Sequence, residues 1–234
     1  MNTEILYEDN HLLIVNKKPG ELVQSDISGV ESLQEKLKEF IRVKYLKPGN
    51  VFLGIVHRLD KPVSGITIFA RTSKAAARLH EQFLSRDIVK RYIAVFKKNS
   101  IIKPEWLNLR HGIKTNDGFV EITDIGMAGS KPAELRFREI ISNNKYTLAA
   151  VDLLTGRKHQ IRAQFSKIGL PVVGDADYGS DEKSDDNSIL LHADYIKFNH
   201  PVKNTIIELE TDYPERFLDK ITADYKMISN IMKD

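Results

Sequence analysis

The 234-residue chain contains no cysteine. Disulfides, thiolate nucleophiles and cysteine-ligated zinc are therefore excluded. So are the zinc nucleobase deaminases, whose metal needs cysteine ligands. No apolar run approaches the roughly 18 residues of a membrane span. The opening residues, Met1 to Asn10, are acidic and polar, unlike a secretory signal. There is no P-loop, no GxGxxG and no HxxxH pair, so the usual nucleotide and zinc signatures are missing. Repeats and low-complexity tracts are absent as well. Neither sign of charge dominates: 35 basic against 32 acidic residues give a net charge of +3. That is a weak footprint for nucleic acid, where a domain-wide pI above about 9 is usual. These absences lead us to expect a soluble cytoplasmic protein with no metal.

What is present is enough for a substantial core. Hydrophobic residues make up 41% of the chain, and we expect a single domain over residues 1–234. Charge is distributed unevenly. Arg71, Lys74, Arg78, Arg86, Lys90, Arg91, Lys97 and Lys98 crowd one segment, and Arg157, Lys158 and Arg162 form a second cluster. Each reads either as a solvated face or as a phosphate-binding surface. Residues 180–188 are acidic.

Patterning predicts a mixed α+β fold. Glu4–Glu8 and Leu12–Asn16 read as a hairpin turned at Asp9-Asn10. Ser32-Leu33-Gln34-Glu35 is a capping box, and the apolar spacing behind it predicts a helix to about Tyr45. Ser73–Leu84 reads as a second helix and Ile88–Phe96 as a strand. Val120–Ile122, Ala133–Phe137 and Tyr146–Ala150 alternate like an antiparallel meander. His159–Ile168 reads as a helix stopped by Gly169. Ile189–Phe198 and Thr205–Glu210 are late strands, and residues 214–234 hold one or two short helices.

The most informative stretch is His57-Arg58-Leu59-Asp60-Lys61-Pro62-Val63-Ser64-Gly65. It sets one carboxylate, Asp60, in an irregular loop between two apolar segments. A solvated turn is one reading; a positioned functional acid on a rigid scaffold is the other. A second stretch runs Thr155-Gly156-Arg157-Lys158-His159-Gln160-Ile161-Arg162 and continues to Gly169-Leu170-Pro171-Val172-Val173-Gly174-Asp175-Ala176-Asp177-Tyr178-Gly179. Three shorter elements accompany them: Arg91-Tyr92-Ile93-Ala94-Val95, Leu191-His192-Ala193 with Phe198-Asn199-His200-Pro201, and the opening Asn10–Lys17 strand.

On these five ordered elements the chain resembles the RluA-type pseudouridine synthases, from about residue 8 to about residue 212. The resemblance implies the pseudouridine synthase fold, with a long, mostly antiparallel sheet, flanking helices and a central cleft. It implies isomerisation of uridine in ribosomal or transfer RNA. Asp60 would be the catalytic carboxylate, Arg162 its partner cation and Tyr92 the active-site tyrosine. Arg58 would fill the space of the flipped base, because guanidinium planes stack on bases. His57, Arg71, Arg157 and Lys158 would meet RNA, and Leu191 would wall the uracil pocket. No cofactor is called for, since the reaction involves no redox change and no leaving group. The partner would be a structured RNA stem-loop, read by a monomer without a membrane or an obligate protein partner. The family's N-terminal RNA-binding module is not expected, since the first motif begins at about residue 8. Two departures bear on loop geometry: Val63 stands where the family has threonine, and Lys17-Lys18-Pro19-Gly20 shifts the proline by one. Two rivals remain: a ribose glycosidase, which would ordinarily need two cooperating carboxylates, and a silent RNA-binding protein on the same fold.

Overall fold

The computed structural model describes residues 3–27, 29–116, 119–184 and 188–221. In chain order the elements are β1 (Glu4–Glu8), β2 (Leu12–Lys17), α1 (Leu33–Lys44), β3 (Gly54–Ile55), β4 (Ser64–Ala70), α2 (Ser73–Ser85), β5 (Val89–Lys97) and β6 (Leu107–Asn116). There follow β7 (Phe119–Thr123), β8 (Lys131–Ser142), β9 (Tyr146–Leu153), α3 (Gln160–Lys167), a 3₁₀ turn (Ala176–Tyr178), β10 (Leu191–Asn199), β11 (Ile206–Glu210) and α4 (Glu215–Ile221). The class is α+β, and every register described between named strands is antiparallel. Among the described residues no helix is long and apolar enough to cross a membrane.

The chain divides into two compact units. The first comprises residues 1–88 and 195–211; the second comprises residues 89–194 and 212–234.

In the first unit β2 lies between β1 and β4. Its run Leu12-Leu13-Ile14-Val15 is fully buried, so both of its faces are covered. Leu12 and Ile14 pack with Ala75 and Leu79 of α2. Leu13 and Val15 pack with Leu33, Leu37 and Ile41 of α1. An unbroken apolar run is what a strand clad on both faces requires. α1 begins at the capping box read from sequence: Glu35 N–H donates to Ser32 Oγ at 3.3 Å, and Ser32 N–H donates to the Glu35 carboxylate at 2.9 Å. α2 is capped by Thr72, whose hydroxyl oxygen accepts from Ala75 N–H.

In the second unit the strands run β5-β9-β8-β6-β7. The expected meander needs a correction. β6 was not foreseen, and it stands between β7 and β8. Leu107, Leu109 and Ile113 of β6 alternate with Asn108, Arg110 and Lys114, so a period-two signal is present, interrupted only at His111 and Gly112. β5 shows why both faces of this sheet are covered. Ile93 and Val95 pack with Phe217 and Ile221 of α4. Phe96 meets Phe165 of α3, ring centroids 4.4 Å apart, and Phe165 also meets Phe137 of β8 at 5.0 Å. Of the chain's C-terminal stretch, residues 222–234 lie outside the described residues, as do Asp185 and Asp186 of the acidic segment.

Candidate active site

In the first unit the loop carrying Asp60 is tied down at both ends. Upstream, His57 Nε2 accepts a hydrogen bond from Ile68 N–H of β4 at 2.9 Å, and its ring stacks on Phe83. Downstream, Lys17 takes hold. Its side chain is wholly buried, and Nζ donates to Lys18 O at 2.9 Å, Lys61 O at 3.2 Å and Val63 O at 2.6 Å. Gly20 N–H adds a bond to Lys61 O at 2.8 Å. Between these clamps Asp60 closes a tight turn, its carbonyl accepting from Val63 N–H at 3.1 Å. Leu59 and Val63 are buried on either side, which leaves Asp60 half-buried with its backbone immobilised. Val63 therefore contributes an apolar anchor and a carbonyl at the place of the missing hydroxyl. Lys17 is the last residue of β2, in register with Gly65, so the extra residue before Pro19 falls outside the strand.

His57 thus braces the loop from inside. Arg58 is exposed, with Nη1 3.5 Å from Gln24 Oε1. Arg71 is engaged by groups of the same unit. Its side chain is 8% exposed, Nη1 donates to Glu8 at 3.1 Å and to Asp9 O at 2.5 Å, and its guanidinium lies 4.8 Å from the Tyr45 ring centre. Arg71 thus holds the β1–β2 turn.

In the second unit Tyr92 is half-buried, on the side of β5 that bears Phe96 and faces α3. Arg162 is 3% exposed and gripped by Asp175: Nε to Oδ2 and Nη2 to Oδ1, both 2.7 Å. Asp177 adds a contact at 3.2 Å, and the guanidinium lies 4.7 Å from the centre of the Tyr178 ring. Tyr178 is itself fixed, with its hydroxyl 2.8 Å from His159 Nδ1 and its carbonyl accepting from Ser166 Oγ at 2.6 Å. The turn before α3 is organised by Gln160. Its Oε1 accepts from Thr155 Oγ1 at 2.7 Å and from Arg157 N–H at 3.0 Å, while its Nε2 donates to Glu134 O at 3.0 Å. Arg157 is half-buried with Nε on Pro132 O at 3.0 Å; Lys158 is exposed. Leu191 is 3% exposed, a core position. His192 beside it is 1% exposed; burial, then the charge of Arg216, pushes its pKa down to about 3, so the ring is neutral. Among the described residues no group of three His, Asp or Glu is placed to hold a metal ion.

The residues that the sequence reading left without a role are Lys17, Asp175, Tyr178 and Asp194. Asp194 is fully buried and takes Arg91 Nε at 2.9 Å and Nη2 at 2.7 Å. Three of them lie in quoted elements, Lys17 in the opening strand and Asp175 and Tyr178 in the Gly174–Gly179 stretch, but nothing local announces that the charges of Lys17 and Asp194 will be buried.

Residues 11–167 match the family model described as RNA pseudouridylate synthase. The chain belongs to this family. A ribosomal large subunit pseudouridine synthase C from Buchnera aphidicola (Baizongia pistaciae) is 36% identical over 227 residues, 91% of this chain and 68% of that protein. The protein of the same description from Escherichia coli K12 is 30% identical over 228 residues, 90% of this chain and 66% of its own length. The chain thus spans about two thirds of these relatives. The fold agrees with that of human RNA pseudouridylate synthase domain containing 4, at a TM-score of 0.77, 20% identity and 94% coverage of both chains. Within this chain the five sequence elements are divided between the units. The Asp60 loop and the opening strand lie in the first, the Tyr92 strand and the Arg162 helix in the second, and the C-terminal element is shared.

Proposed function

We propose that the chain isomerises a uridine of large-subunit ribosomal RNA to pseudouridine, with Asp60 as the reacting carboxylate. The observation that carries this reading is the immobilised Asp60 turn, fixed by Lys17 and His57. Holding a reacting group in place removes entropy from the barrier in advance. The printed names of the relatives support the choice of RNA.

The chemistry is balanced without a cofactor. The N1–C1′ bond breaks, the uracil turns, C5 bonds to C1′, and the proton lost from C5 is matched by one gained at N1. An ionised Asp60 starts this by attacking the sugar or the base, or by taking a sugar proton. Arg162 is the cation of the reacting site. Tyr92 stacks on the uracil. Arg58 fills the vacated place, offsetting part of the few kcal/mol that flipping costs. The two units serve one catalytic domain, acting in the cytoplasm as a monomer.

The test is the fate of a large-subunit ribosomal RNA transcript incubated with the protein. Unchanged mass with a new C-glycoside supports isomerisation, loss of uracil means a glycosidase, and no change means binding alone. Asp60→Asn should abolish turnover while keeping the fold and most RNA affinity. Activity within tenfold of the parent would remove Asp60 from this role.

A further inference from the structure

Lys18, the residue that shifts the proline of the opening motif, has no part in the chemistry above. Neither has Lys61, which follows Asp60. The buried Lys17 brings the two together: its Nζ donates to Lys18 O at 2.9 Å and to Lys61 O at 3.2 Å. Gly20 N–H adds a bond to Lys61 O at 2.8 Å. Each lysine also precedes a proline, Pro19 or Pro62, which narrows the backbone angles open to it. Two side chains thus start from backbones tied to one nitrogen, and both lysines are exposed. Among the described residues neither ammonium has an ion-pair partner. The nearest acids along the chain have other duties. Glu21 accepts from Lys18 N–H at 3.1 Å and from Lys36 Nζ at 3.2 Å, and Asp60 is the carboxylate assigned to the reaction. Space beside the pair is open, since a Cβ added at Gly20 would meet nothing within 4 Å.

We propose that Lys18 and Lys61 together hold one phosphodiester of the RNA beside the target uridine, Lys18 being the contact that the extra residue adds. This rests on the pseudouridine synthase reading, in which the ribose C1′ of the uridine comes to Asp60. The flanking phosphates hang on that same ribose, so a cation on the residue after Asp60 has one within reach. A compact ammonium on a four-carbon arm meets phosphate as a point charge, and such a contact positions RNA without reading its sequence. Like charges carried on adjoining backbones repel, and an anion taken between them removes that repulsion. Because the backbones are already fixed, only the two arms lose freedom when the anion enters.

The test uses the full chain and an unmodified large-subunit ribosomal RNA transcript, with Kd measured between about 50 and 200 mM KCl. Both side chains are exposed and Lys17 holds backbone atoms, so Lys18→Met and Lys61→Met should fold normally. Each should weaken binding about tenfold, and the double variant by little more, since a shared phosphate is lost only once. The slope of log Kd against log salt should fall by about one in the double variant. Lys18→Arg should retain the parent slope. A second RNA places the contact: a short one carrying the uridine that the parent modifies, with a neutral methylphosphonate next to it. The parent should bind it about tenfold less tightly than the ordinary RNA, and the double variant should bind both alike. An unchanged slope, losses that add in the double variant, or an equal methylphosphonate penalty in parent and double variant overturns the proposal. If the parent binds the transcript but modifies no uridine, the enzymatic reading fails, while the slope still decides whether these lysines hold phosphate.

Discussion

Arg162 is 3% exposed, so its charge must be met inside the protein, and Asp175 meets it with two parallel 2.7 Å hydrogen bonds. Bidentate pairing fixes the plane of the guanidinium as well as its place. Removing one partner of a buried pair costs about 3–5 kcal/mol because the other charge is left uncompensated. Asp175→Asn should therefore lower stability by an amount of that order in urea unfolding. It should also reduce the single-turnover rate at saturating RNA, as should Arg162→Met. If high RNA rescues Arg162→Met completely, its role is binding alone. His192 supports a prediction of a different kind. Its folded pKa of about 3 lies below the ordinary histidine value of 6.5. The unfolded chain therefore binds the extra proton first, and the stability that His192 contributes is complete above about pH 6.5. It should be lost as pH falls from there toward 3, at up to about 1.4 kcal/mol per pH unit. Unfolding midpoints at pH 7, 5.5 and 4.5 should fall less steeply in His192→Gln than in the parent.

At the scale of elements, the loop bearing Asp60 is a short irregular segment made rigid by groups outside it. Lys17 supplies three donors to three carbonyls, two of them in the loop itself. Lys17→Met keeps the length of the side chain and removes every donor. Each carbonyl left buried without a partner costs roughly 1–3 kcal/mol. We expect a loss of at least about 2 kcal/mol in urea unfolding. At saturating RNA we also expect a fall in kcat larger than that in RNA affinity, because the carboxylate is no longer held in place. A variant that lost affinity but kept kcat would show that the loop does not depend on this clamp. The helices carry a related lesson. α1 starts where its capping box lies, since that signal is local. α3 starts at His159, where its apolar spacing put it, in a left-handed conformation with φ of 51° and without a side-chain cap, so periodicity and not a capping signal marks this helix.

For the whole molecule, a net charge of +3 understates local attraction to RNA, and the count of basic residues overstates it. Several cations of the Arg71–Lys98 segment have structural duties. Arg71 is closed in by Glu8, Asp9 and Tyr45, Arg78 donates to Pro201 O at 2.7 Å, and Arg91 pairs with Asp194. RNA affinity should still fall steeply between about 50 and 200 mM salt, since phosphate contacts release counterions. Arg71→Gln should leave that slope unchanged while lowering the unfolding midpoint. A reduced slope would return Arg71 to the RNA-binding surface.

The sequence by itself determined the family and most of the elements. Its motifs are ordered and dense, and its helices and strands carry local signals: the Ser32–Glu35 box, the unbroken apolar run of β2 and the alternation in β8 and β9. Its resemblance to the family also nominated Asp60, Tyr92 and Arg162 as site residues. Only the tertiary structure decided which charges are buried and what they hold. Lys17 and Arg71 look alike in sequence, as ordinary surface cations at strand ends. One became the clamp of the Asp60 loop and the other the tie of the β1–β2 turn. The insertion of β6 between β7 and β8 was decided at the same level. The reason is common to all three. The partners of a buried charge or of a strand edge come from distant parts of the chain, and local periodicity carries no information about them.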